Sequence, residues 1–214
     1  MATFEGPTLE EPAVGDAAVD GAEPGIVVVH DSHDAPPTPR RAWWDLDQQG
    51  YLSRIQKILL ATDGTVTRVL EACAGEEMEL TKLEQIVVPA VTADADLALS
   101  EGEDVMSRIV LLRGSQSGNT YVYAESLIVP GRLHPRLRHG LYHSDAPIGW
   151  LLWENRVETV RELMRWGLEP AGDCASHFRI DDREALISRT YRIISQRQPI
   201  MLITEKFPAS CFPD

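Results

Sequence analysis

At 214 residues, of which 43% are hydrophobic, the chain is long enough to bury the core of one globular domain and to carry an appendage. Its 33 acidic against 20 basic side chains give a formal net charge of −13, which argues against a nucleic-acid-binding surface, because neutralising phosphates needs clustered Lys and Arg. An acidic chain that takes an anionic ligand must concentrate its few positive charges at the site.

Residues 1–40 are rich in Pro, Gly, Ala, Asp and Glu, hold no Lys or Arg before Arg40, and carry one apolar patch at Ile26-Val29. This composition predicts a flexible acidic tail that serves solubility or binds a partner. Pro36, Pro37 and Pro39 end it before Trp43 and Trp44 open the packed domain, 41–214. From Leu46 onward the pattern is helical: Leu52, Ile55, Ile58 and Leu59 recur at spacings of three and four and form one apolar stripe. Asp63-Gly64-Thr65 interrupts it as a corner, and Val66, Val69, Leu70 and Cys73 predict a second short helix.

After Glu79 the segments shorten and become β-branched, so Leu83-Val91 and Val105-Leu112 read as strands. The polar link Gly114-Asn119 joins the second of these to Tyr121-Val129 as an antiparallel hairpin. Next comes the densest basic run, Arg132, His134, Arg136, Arg138 and His139. It reads either as a solvated loop or as a field that attracts a dianion. Ile148-Trp153 and Val157-Trp166 read as helices, the second closed by Gly167. Leu186-Ile194 and Ile200-Phe207 flank residues 195–199 and make a second hairpin. The expected fold is α+β, a single domain with an antiparallel sheet covered by helices.

Generic motifs are missing: the chain has no G-x-G-x-x-G, no phosphate-binding loop of the Walker type, no H-E-x-x-H and no G-x-S-x-G. His134, His139, His143 and His177 lack paired ligand spacing, and Cys73, Cys174 and Cys211 have neither metal-type spacing nor an even count. No metal is therefore expected, and a reducing, cytoplasmic setting is. No basic leader or membrane-length apolar run is present, so no membrane association is expected.

Strand parity gives a sharper signal, because alternate residues share a face. Glu205 shares its face with Met201, Ile203 and Phe207, and Arg108 shares its own with Met106, Val110 and Leu112. Charges on apolar faces are costly unless paired or put to use. Two explanations stand: a buried Arg108–Glu205 salt bridge, or the two ends of a ligand site.

Four strings in order carry a resemblance. They are Ser107-Arg108-Ile109-Val110-Leu111-Leu112, Ser126-Leu127-Ile128-Val129-Pro130, Pro147-Ile148-Gly149, and the closing Pro199-Ile200-Met201-Leu202-Ile203-Thr204-Glu205-Lys206-Phe207-Pro208. Together they resemble the chorismate pyruvate-lyase (4-hydroxybenzoate synthase) family, especially its actinobacterial branch, over the stretch from Leu46 to Cys211. The resemblance implies cofactor-free conversion of chorismate to 4-hydroxybenzoate and pyruvate inside an antiparallel sheet closed by helical flaps. It places the arginine that holds the substrate carboxylate at Arg108, the catalytic glutamate at Glu205, and the aliphatic contact to the ring at Ile148, next to Gly149. A backbone N–H near Thr65 would add a contact to the carboxylate. Alternatives are an effector-type module of the same fold that binds an aromatic acid without turnover, and a lyase-fold enzyme of specialised aromatic biosynthesis. A monomer or homodimer fits either.

Overall fold

The computed structural model describes residues 52–214, so the expected tail and the Trp43-Trp44 opening lie outside the described residues. Ser53 caps the first helix, α1 (Arg54–Ala61): its Oγ accepts from the Gln56 N–H while the Gln56 side chain accepts from the Ser53 N–H. This reciprocal arrangement satisfies two of the orphan donors of a helix start. The same Ser53 hydroxyl donates to the Phe212 carbonyl at 2.7 Å, which ties the first helix to the far end of the chain. Helix α2 (Val66–Ala74) ends at Gly75 in the left-handed region (φ 70°), the conformation that glycine adopts at least cost. Both expected helices form, but their buried faces are narrower than the apolar spacing implies. Ile58 is 51% exposed and Cys73 is exposed, whereas Gln56 is buried and donates to the Ala209 carbonyl.

Six antiparallel strands follow: β1 (Met78–Pro89), β2 (Asp104–Gly114), β3 (Thr120–Ile128), β4 (Val160–Pro170), β5 (Ala185–Ser195) and β6 (Gln198–Pro208). They form one sheet in the order β1-β2-β3-β6-β5-β4. Both expected hairpins are present, β2 with β3 and β5 with β6. Strand β1 begins earlier than expected, because a bulge between Lys82 and Glu84 breaks the alternation that marks a strand.

The helix expected over Val157-Trp166 is not formed. From Val160 on, that stretch is the edge strand β4, and Gly167 pairs with Ser188 instead of ending a helix. Residues such as Glu162, Leu163 and Met164 favour a helix locally, and a bulge between Leu163 and Arg165 hides the period of two. Pairing with β5 along the whole strand overrides that preference. The basic run is not a loop either. Arg132 closes a 3-10 turn (Pro130–Arg132), His134 caps α3 (Pro135–His143), and Arg136, Arg138 and His139 lie within that helix.

One face of the sheet carries two apolar clusters. Leu59, Leu60, Val66 and Leu70 of α1 and α2 pack on Leu112, Val122 and Phe207. Leu137 and Leu141 of α3, with Leu151 and Leu152 of α4 (Ile148–Glu154), pack on Met106, Ile128 and Met201. Each fully buried leucine contributes roughly 1.5–3 kcal/mol, so the two helical pairs are firmly seated on opposite halves of that face. Between them a cavity opens over the middle of the sheet.

Candidate active site

The floor of the cavity is set by register. Arg108 of β2 pairs across Ser126 of β3 to Ile203 of β6, and Val110 pairs across Ala124 to Glu205. Paired residues share a face, so Arg108 and Glu205 look into the same space. They are two strands and two residues apart, which at ordinary sheet spacings places their Cα atoms about 12 Å from each other. The lid comes from Gly64 and Thr65 between α1 and α2 with the first residues of α2, Val66 and Thr67, and from the start of α4, at Pro147 to Gly149. The five residues that sequence singled out, Arg108, Glu205, Ile148, Gly149 and Thr65, all line this one cavity. The lids nearly touch: a Cβ on Gly149 would stand 3.0 Å from Thr65 Cγ2.

Arg108 and Glu205 do not form the buried pair considered as an explanation for their parity. The carboxylate of Glu205 is taken by Arg189 of β5, whose Nε and Nη2 both reach Oε2 at 2.7 Å. Tyr191 donates to the other oxygen, Oε1, at 3.1 Å. Arg189 Nη1 donates to the carbonyls of Leu59 and Thr62, so the pair also fastens α1 to the sheet. Burial opposes charge on Arg189 most strongly, but the Glu205 carboxylate and Tyr191 together outweigh it and hold the guanidinium above its ordinary range. Burial pushes the Tyr191 phenol up, and Glu205 pushes it further, so the hydroxyl keeps its proton and serves as a donor.

Arg108 is different. It is 1% exposed, and Nη2 donates to the Ala146 carbonyl at 3.2 Å, but Nε and Nη1 have no partner among the described residues. Those two nitrogens carry three of the five donors of a guanidinium. Burial pulls its pKa below the ordinary range, offset only in part by Asp145. Leaving such donors buried and unpaired costs about 1–3 kcal/mol per group, and native proteins seldom tolerate it without a use. A cavity-lining guanidinium with free donors is suited to an anion, above all a carboxylate.

Sequence reading missed Arg189, Tyr191 and Arg161, the last of which also lines the cavity. Arg189 carried the same signal as Arg108, a charge between Ile187 and Tyr191 on one face of a strand. Arg161 was hidden by the helix expected over its segment. The basic run does not reach the cavity. Arg132 is committed to Glu103 and to the carbonyls of Leu97, Ala98 and Pro199, and none of His134, His139, His143 and His177 lines the site. Among the described residues no group of three or more His, Cys, Asp or Glu side chains could hold a metal ion, and no helix is long and apolar enough to cross a membrane.

The family described as chorismate pyruvate-lyase Rv2949c-like matches residues 60–212. A chorismate pyruvate-lyase of Mycobacterium tuberculosis (strain CDC 1551 / Oshkosh) is 35% identical over 172 residues, covering 76% of this chain and 84% of that protein. One from Mycobacterium leprae (strain TN) is 34% identical over 164 residues, covering 76% and 78%. Among solved structures, the effector domain of PhnF from Mycobacterium smegmatis superposes with a TM-score of 0.54 at 14% identity, covering 69% of this chain and 90% of that one. Full PhnF from the same organism gives 0.56 at 14% identity, covering 71% and 66%. These two likenesses describe the fold alone.

Proposed function

The chain belongs to the chorismate pyruvate-lyase family, and from that membership and the cavity we propose that it converts chorismate to 4-hydroxybenzoate and pyruvate without a cofactor. The observation that carries the reading is the buried Arg108 guanidinium with free donors at one end of a cavity whose other end holds Glu205. Arg108 binds the ring carboxylate in substrate and product alike. Ile148 of the lid packs on the ring, and the lids exclude water and hold the reactive conformer.

In the reaction the bond between C3 and the ether oxygen breaks and the hydrogen on C4 is lost. The ring becomes aromatic, and the released three-carbon enol takes a proton at its methylene carbon to become pyruvate. Atoms balance with no oxidant and no added water. Oε2 of Glu205 already accepts twice from Arg189, and Oε1 accepts once from Tyr191. What remains for the substrate is an acceptor position on Oε1, which suits a hydrogen bond from the 4-hydroxyl that orients the ring. The geometry thus favours Glu205 as an orienting acceptor over a general acid.

The test is incubation of the purified chain with chorismate in EDTA, with pyruvate and the aromatic product followed by chromatography. Equal yields of pyruvate and 4-hydroxybenzoate are expected. Activity lost in EDTA and restored by one metal would overturn the cofactor-free reading. A second reading, an effector-type module that binds an aromatic acid without turning it over, is favoured by the shared fold with the PhnF effector domain. Tight 4-hydroxybenzoate binding with no release of pyruvate would establish it instead.

A further inference from the structure

Chorismate carries two carboxylates, one on the ring and one on the enolpyruvyl ether, and Arg108 can satisfy only the first. Arg189 is not available for the second, since its donors are used by Glu205, Leu59 and Thr62. Of the described residues that line the cavity, two are cationic: Arg108 and Arg161. Arg161 stands on the edge strand β4, in register with Ile193, at the opposite side of the sheet from β2. Its guanidinium carbon lies 5.9 Å from the ring centroid of Tyr191, the residue that donates to Glu205. Across the strands Arg161 thus stands on the far side of Tyr191 and Glu205 from Arg108, although its row, that of Ile193 and Met201, is four residues along the sheet from Glu205. The ether of the substrate lies on that side of the cavity if the ring carboxylate is on Arg108. The Arg161 Nε is enclosed and has no partner among the described residues.

Arg161 also lines a second, outer groove together with Gly64, Thr65 and Gly149, the same lid residues that border the inner cavity. The groove thus adjoins the cavity across the lids, and Arg161 borders both. Resting on the lyase reading, we propose that Arg161 binds the enolpyruvyl carboxylate, selects dicarboxylates over monocarboxylates, and keeps its hold on pyruvate as it leaves through the groove.

Two probes separate this role from that of Arg108. One is 4-hydroxybenzoate, a monocarboxylate. The other is 3-(1-carboxyvinyloxy)benzoate, an already aromatic dicarboxylate that carries the same ether side chain and cannot undergo the reaction. Dissociation constants are measured for the wild type, Arg161→Met, Arg161→Lys and Arg108→Met, with melting temperatures as a check on folding. Arg161→Met should weaken the dicarboxylate about 10- to 100-fold, as expected for a lost hydrogen bond between charged groups, and leave 4-hydroxybenzoate within about twofold. Arg161→Lys should recover part of the loss, and Arg108→Met should weaken both probes. With chorismate, KM should rise more than kcat falls in Arg161→Met.

Equal weakening of both probes by Arg161→Met, or of neither, would overturn the proposal. A wild type that binds both probes but releases no pyruvate from chorismate would instead defeat the lyase reading, while the ratio of the two affinities still decides the role of Arg161.

Discussion

Arg108 and Arg189 occupy the same sheet face with opposite obligations. Arg189 is fully employed, so Arg189→Met should strand the Glu205 carboxylate and two carbonyls of the α1 end, costing about 3–5 kcal/mol of stability. Arg108 holds three buried donors with no partner among the described residues, so Arg108→Met should leave stability unchanged or raised. It should weaken 4-hydroxybenzoate binding by about 100-fold or more, as befits a charged anchor. Urea denaturation of both variants, with titration by 4-hydroxybenzoate, checks this. A loss for Arg108→Met as large as that for Arg189→Met would show Arg108 to be structural. Parity made Arg108 and Glu205 legible in the sequence, because a charge among apolar neighbours on one strand face needs no knowledge of other strands. What it could not supply was the partner. The pairing of Glu205 with Arg189 depends on the β5–β6 register, and two arginines on similar faces look alike until that register is known.

The lid is an arrangement of elements, and its tightest point is Gly149 of α4 against Thr65 at the start of α2. An added Cβ would meet Thr65 Cγ2 at 3.0 Å and Oγ1 at 3.4 Å. Gly149→Ala should stabilise the helix slightly, since alanine outranks glycine by roughly 1 kcal/mol in helices, yet push the lids apart and lower kcat/KM several-fold. Thr65 makes no side-chain capping bond, so Thr65→Ser removes the offending methyl at little cost, and the double variant should recover most of the activity. Steady-state kinetics with melting curves read both effects. Full activity in Gly149→Ala alone would mean that the lids have slack. Most elements could be read locally, the two hairpins and α4 among them. β4 could not, because its helix-favouring residues and its bulge mask the alternation that long-range pairing with β5 enforces. That one misreading also concealed Arg161, so the error in secondary structure became an error in the site.

At the scale of the whole molecule, the charge of −13 opposes the approach of the dianionic substrate proposed for the cavity. The arginines of the site act at short range, whereas the net charge acts across the Debye length, about 30 Å at 0.01 M salt and about 8 Å at 0.15 M. Raising salt over that interval should screen the repulsion more than the enclosed contacts, so kcat/KM for chorismate should rise, by about two- to fivefold. Residues 1–39 carry eight Asp and Glu and no Lys or Arg, so their removal takes the formal charge from −13 to −5. The composition of that segment gives it too little apolar density to join a core, and among the described residues every one that lines the cavity lies at position 64 or beyond. A protein beginning at Arg40 should therefore keep the melting temperature of the full chain, turn over chorismate faster at 0.01 M salt, and show a flatter salt dependence. A kcat/KM that falls with salt at both lengths would show that the local field of Arg108 and Arg161 governs capture. A large drop in melting temperature on truncation would place the acidic segment in the folded domain after all.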